Sequence, residues 1–147
     1  MKLSTKTRYG TRALLDLALH SNGNSPVPLK EIAQRQDISL NYLEQIIAPL
    51  LNGGIINSTR GSKGGVLLAK SPREINLKSV VDLLEGTITL TDCNNENGTC
   101  TRSGACATQE LWSDVSNAMN GVLSSTTLED LVEKQKQKTP LEVTYSI

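Results

Sequence analysis

All three cysteines of the 147-residue chain fall within one short stretch, DCNNENGTCTRSGAC, residues 92–106. Inert thiols sit in apolar surroundings, and the neighbours of Cys93, Cys100 and Cys106 are small and polar. A structural disulfide is disfavoured in a reducing compartment. The spacing Cys-x6-Cys-x5-Cys lacks the tight Cys-x2–4-Cys pairs of structural zinc sites. Thiolates on a longer loop suit an iron–sulfur cluster, whose irons take Cys and sometimes His ligands. Three thiolates leave one of the usual four positions to another donor, and such a shell makes a labile cluster fit for sensing. A thiol switch is the second reading, with one pair oxidising while the third thiol stays free. Zinc is the third.

For the fourth position, Gln109 lies one helical turn past Cys106. Asp92, Glu96 and Glu110 are hard oxygen donors nearby. His20, the one histidine, ends a predicted helix and reads as a partly exposed side chain rather than a ligand.

The elements that must position this loop follow from pattern. STKTRYGTRALLDLALHS places Tyr9, Ala13, Leu14, Leu17 and Ala18 on one face of a helix capped by Ser4 or Thr5. Pro28 suits the start of a second, short helix that buries Leu29, Ile32 and Ala33. Asp37 breaks it. Ser39 caps a third helix, SLNYLEQIIAPLL, which Asn52-Gly53-Gly54 stops. Pro49 predicts a bend or an early end there, because proline removes one helical hydrogen bond and clashes with the preceding turn. IINSTRGSKGGVLLA reads as a hairpin. A helix-turn-helix followed by a hairpin is a winged helix.

A fourth helix is expected from about Leu77, then a short strand at Ile88 and Leu90. Beyond the cysteines, Leu111, Trp112, Val115, Ala118, Met119 and Val122 form a broad apolar stripe on a long helix. The winged helix offers little surface to cover that stripe, so it is expected to pair with a second copy. Thr126 or Thr127 caps a final helix. The expected fold is mainly α with a small β-hairpin wing. Residues 1–85 form the winged helix-turn-helix, 86–107 the cysteine loop, 108–135 the dimerisation and C-terminal helices, and 136–147 a frayed tail.

Apolar residues make up 37% of the chain and aromatics 3%, with no Phe, so the core is expected to be aliphatic. The longest apolar run, IIAPLL, is far short of the ~20 residues that span a bilayer. MKLSTKTRYG is charged and leads into no apolar run of the secretory kind. These features predict a soluble, cytoplasmic protein with no membrane partner. The net charge of zero conceals a basic first half: residues 1–70 hold nine Lys/Arg against four Asp/Glu. That asymmetry suits a module that binds a polyanion.

In a helix-turn-helix the start of the second helix enters the DNA major groove. Here that end carries Ser39, Asn41, Tyr42, Glu44 and Gln45. Gln and Asn pair bidentately with adenine; Glu accepts from cytosine and is repelled by phosphate. Arg60 and Lys63 occupy the hairpin tip, where a wing reaches a minor groove. Lys2, Lys6, Arg8 and Arg12 line the first helix as candidate phosphate contacts. No nucleophile–base pair, phosphate-cradling glycine loop or His/carboxylate constellation favours an enzyme, so a cluster carrier is the remote alternative to a DNA-binding regulator.

MKLSTKTRYG, VPLKEIAQRQDISLNYLEQI, STRGSKGGVLLAK and the three cysteines before LW together resemble the IscR-type iron–sulfur transcription regulators of bacteria, from residue 1 to about 135. ISLNYLEQ and RGSKGG are the most specific parts. The resemblance implies a homodimer with two winged helices that binds double-stranded operator DNA. It implies a [2Fe–2S] cluster on Cys93, Cys100 and Cys106. It further implies repression of cluster-assembly genes, with cluster state altering which sites are bound. It gives Glu44 a part in discriminating two classes of site, Gln45 a base contact and Arg60 the minor groove. Those regulators carry His three residues after the third cysteine; here Gln109 stands there. Relatives that sense nitric oxide with a [4Fe–4S] cluster take an acidic ligand near residue 8 from the partner, and Arg8 cannot serve so. The resemblance therefore favours [2Fe–2S].

Overall fold

A computed structural model describes residues 2–23, 25–91 and 105–139. The described residues form six α-helices and one two-stranded sheet. Helix α1 spans Thr5–His20, and the Ser4 side chain accepts from the Thr7 N–H as its cap. Helices α2 (Leu29–Gln36) and α3 (Leu40–Asn52) follow. Strands β1 (Ile56–Thr59) and β2 (Gly65–Leu68) pair antiparallel, with Ile56 opposite Leu68. After a single 3-10 turn at Pro72–Glu74 come α4 (Leu77–Glu85), α5 (Ala107–Ser125) and α6 (Leu128–Lys138).

The core is aliphatic, as the composition requires. Leu14, Leu17, Ile32, Leu43, Ile46 and Leu50 are almost fully buried where α1, α2 and α3 meet. Val80 and Leu84 close it from α4. At Gly10 the helices pack closely: a Cβ there would lie 2.5 Å from Leu84 Cδ1 and 3.0 Å from Ile46 Cγ2.

Three local expectations change, and the hairpin gains a neighbour. Helix α3 runs through Pro49 to Asn52. The bond that Gln45's carbonyl would accept from residue 49 is lost, but Ile46, Ile47 and Leu50 are buried around it and hold the helix on the core. Residues 88–90 form no strand, because nothing pairs with them among the described residues. The hairpin instead gains an isolated bridge from Val27, whose N–H and carbonyl both bond Val66 at 2.9 Å. Helix α6 continues to Lys138, past the expected start of the tail at 136. The remainder of that tail, residues 140–147, lies outside the described residues.

Helix α6, grouped from sequence with α5, packs against α1, and its Leu128 is fully buried in the core. Thr127 and Asp130 form a capping box that fixes its start. Thr127 also bridges Asn76, and Leu128 N–H donates to the Ile75 carbonyl at 2.9 Å.

A buried carboxylate locks the first two helices together. Asp16 is 3% exposed and accepts from Arg35 Nη2 at 2.7 Å and from Gln36 Nε2 at 2.9 Å. That pairing raises the Arg35 pKa above its ordinary value, with the Asp16 hydrogen bond as the main cause. Removing one partner of a buried pair leaves the other uncompensated. Arg35 keeps some access to water, so Asp16→Ala is expected to cost about 2–3 kcal/mol, measured by urea unfolding. An unchanged midpoint would remove this clasp from the account of stability.

Candidate functional site

The turn between α2 and α3 is built by one unusual backbone residue. Asp37 adopts the left-handed conformation at φ 55°, ψ 48°, and its N–H closes α2 on the carbonyls of Ala33 and Gln34. Asp tolerates that region better than most non-glycine residues. The chain is then extended through Ser39, whose hydroxyl accepts from the Tyr42 N–H at 3.1 Å. This fixes the first turn of α3.

That turn presents the polar residues named from sequence. Ser39, Asn41, Glu44 and Gln45 are exposed, while Leu43 and Ile46 point into the core. Tyr42 is half-buried, and its ring meets Tyr9 of α1 edge to face at a centroid distance of 6.2 Å. Leu40, 41% exposed at the head of α3, was not singled out by sequence reasoning.

Arg60 and Lys63 are exposed on the loop joining β1 to β2, where Gly61 takes φ 107°. Arg8 is exposed on α1. Among the described residues none of these three cations enters an ion pair. Arg12 differs. Its guanidinium lies 5.1 Å over the Tyr9 ring and donates to Gln36 Oε1 at 3.1 Å. It braces α1 against α2 and Tyr9, and that use was not visible in the sequence.

Of the cysteines, Cys93 and Cys100 lie outside the described residues. Cys106 is the N-cap of α5, partly exposed, with Sγ 2.9 Å from Thr108 Oγ1. The Thr108 hydroxyl, then the backbone N–H groups of Gln109 and Thr108, hold its thiol below the ordinary cysteine range. An accessible thiol with a lowered pKa more readily gives the thiolate that ligates metal or reacts. Cys106 therefore fits the thiolate that an iron–sulfur cluster needs. Gln109 is half-buried in the same first turn of α5. His20 is far from this in role: its Nδ1 donates to the Asp16 carbonyl at 2.9 Å.

Helix α5 buries none of its residues within the chain. Leu111, Trp112, Val115 and Val122 are 37–64% exposed, Ala118 is exposed and Met119 is half-buried. Its far end is held by Asn76 Nδ2, which donates to the Ser124 carbonyl at 2.6 Å, and by Leu77 N–H to the Thr126 carbonyl at 3.0 Å. No helix among the described residues is long and apolar enough to cross a membrane.

A further contact joins the end of α4 to the start of α1. Glu85 Oε2 accepts from the Ser4 N–H at 3.2 Å, from the Ser4 hydroxyl at 2.6 Å and from the Thr7 hydroxyl. The Ser4 and Thr7 hydroxyls lower the Glu85 pKa below the usual carboxylate range. A carboxylate with a depressed pKa stabilises the fold above its unfolded pKa. That contribution is lost as pH falls through the lower, folded value.

Comparison with known proteins places this arrangement. Residues 3–134 match the Rrf2 family, described as iron-dependent transcriptional regulators. The chain is 43% identical over 136 residues to the HTH-type transcriptional regulator IscR of Photorhabdus laumondii, covering 92% of this chain and 82% of that one. It is 44% identical over 132 residues to protein rrf2 of Nitratidesulfovibrio vulgaris, covering 90% and 87%. Among solved structures, CymR, the global cysteine regulator of B. subtilis, superposes with a TM-score of 0.77 at 38% identity, covering 91% of this chain and 98% of that one. T. potens IscR superposes at 0.76 and 37% identity, covering 95% and 91%.

Proposed function

The chain belongs to the Rrf2 family of transcriptional regulators, and on that premise we propose that it is a cytoplasmic homodimer whose operator binding depends on an iron–sulfur cluster held by Cys93, Cys100 and Cys106. The observation that carries this reading is Cys106, an accessible, acidified thiol at the head of a helix that leaves its apolar face uncovered. A ligand placed there sits beside the surface on which a second copy packs. The cluster is [2Fe–2S], with Gln109 or an exchangeable group as fourth donor, and it supplies a labile signal of iron–sulfur status. The genes repressed are those of cluster assembly.

The DNA contacts divide by role. Ser39, Asn41, Tyr42, Glu44 and Gln45 face the major groove, with Gln45 bidentate to a base and Glu44 rejecting poor sites. Arg60 and Lys63 take the minor groove beside it. Arg8 holds phosphate, setting position without reading sequence. Gln45→Ala is expected to cost about 1–3 kcal/mol at one base pair while leaving the salt slope unchanged, because the side chain touches no phosphate. Binding isotherms on single-base operator variants check this. Equal affinity and selectivity in the variant would take Gln45 out of the reading set.

The acidified Cys106 thiol also suits a metal-free thiol switch. Colour separates the two. Protein purified without oxygen absorbs visible light if it holds a cluster, and a dithiol protein does not.

A further inference from the structure

We infer that Glu85 is a positioning residue for DNA recognition, whose carboxylate ties the end of α4, the helix leading toward the cysteine loop, to the first turn of α1 and so to the reading helix. The inference rests on the cluster-sensing reading above and adds a route by which the loop reaches the DNA-facing surface.

Three observations meet here. First, Glu85 is the last residue of α4, and one of its oxygens takes three donors from Ser4 and Thr7, 81 and 78 positions earlier in the chain. Thr7 is 2% exposed, so the clasp includes a buried hydroxyl rather than a solvated surface pair. Hydrogen bonds to an ionised acceptor are about twice as strong as neutral ones. Second, Gly86 follows with φ 85°, a conformation that ends the helix and leads into residues 87–91, which precede the first cysteine in sequence. Third, the residue before Glu85 leaves no slack. Leu84 fills the space against Gly10 where α1, α3 and α4 converge, and Ile46 of α3 borders the same spot.

A close-packed junction of this kind does not deform smoothly; it shifts as a unit or breaks contacts. A change that pulls on the end of α4 must either move the first turn of α1 or release it from Glu85. That turn carries Lys6 and Arg8, and it leads directly to Tyr9, whose ring abuts Tyr42 in the first turn of α3. Both the phosphate-contacting and base-reading surfaces are therefore one contact away from the clasp.

The experiment compares full-length wild type, Glu85→Ala, Glu85→Gln and Thr7→Val. Each is prepared without oxygen and titrated with the DNA duplex that the wild type selects from a random pool, once with cluster and once after its removal. Iron content and thermal melts accompany every titration. Wild type is expected to show a loaded-to-empty affinity ratio of about fivefold or more, in either direction. Glu85→Ala and Thr7→Val keep their iron, but their ratio falls to within about twofold of one. Glu85→Gln, which retains an acceptor oxygen in place, recovers most of it. A merely structural role would lower the melting temperature and leave the ratio alone. If Glu85→Ala does not fold, the isosteric Thr7→Val decides. A wild-type ratio well above one that persists in Thr7→Val overturns this inference and leaves cluster sensing standing. Loss of iron from Thr7→Val assigns the clasp to cluster retention and overturns it too. A wild-type ratio of one removes cluster sensing, and the inference with it.

Discussion

Cys106→Ala protein, purified without oxygen, is expected to be colourless, its iron falling from about two per protomer to near zero. Cys106 is the third thiol of the set and stands where two backbone N–H groups and the Thr108 hydroxyl stabilise its ionised form. Two remaining cysteines cannot replace it, since the set is already one donor short of four. Fold and ligation can be separated at this residue. Sulfur is a weaker hydrogen-bond acceptor than a hydroxyl oxygen, so Cys106 is a poor N-cap for α5. Serine is a preferred cap. Cys106→Ser should therefore melt no earlier than wild type while losing the visible absorbance. Full colour in both variants would exclude Cys106 from the cluster, and a colourless wild type would favour the thiol switch.

The stripe on α5 carries the second large effect. Trp112→Glu with Val122→Glu is expected to yield a monomer by light scattering, and operator affinity is expected to fall about 10²–10⁴-fold. Leu111, Trp112, Val115 and Val122 are exposed in the single chain although they are large and apolar. A face of this sort on a stable regulator marks an interaction surface. Two linked winged helices bind two half-sites with the second contact made at high effective concentration, and that advantage vanishes with the dimer. The folded core does not depend on this face: Trp112 and Val122 are exposed, and α5 meets the core through Leu123 instead. The variant's melt should then lose its dependence on protein concentration rather than collapse. A variant that stays dimeric would place the interface elsewhere.

Much of this was legible in the sequence where a short-range rule governs. Ser4, Ser39 and Thr127 are caps because a side-chain oxygen before a helix meets an unbonded N–H a few residues on. The spacing of Ala13, Leu14, Leu17, Ile32 and Ala33 follows helical period, and all are buried, while Tyr9, Ala18 and Leu29 are half-buried at the edge of the core. The wing was legible through glycines flanking a cationic tip. What was not legible is long-range pairing of polar groups. Asp16 with Arg35, Arg12 with Tyr9 and Gln36, and Glu85 with Ser4 and Thr7 join residues whose types alone read as ordinary surface. Val27 reached the sheet without a strand pattern of its own, through one bridge to Val66. Ile88 and Leu90 show the converse, since alternation over so short a run makes no strand without a neighbour to pair with. For the cysteine set, spacing ranked an iron–sulfur cluster ahead of a thiol switch and zinc without deciding among them. The placement of Cys106 at the head of α5 adds why its thiol pKa is lowered.

The most direct measurement is operator binding by oxygen-protected wild-type protein before and after its cluster is removed, with iron and sulfide counted in the same samples. Brown protein whose affinity or site choice changes on losing iron is the predicted result. Colourless protein that binds the same sites equally well with or without iron would contradict the account.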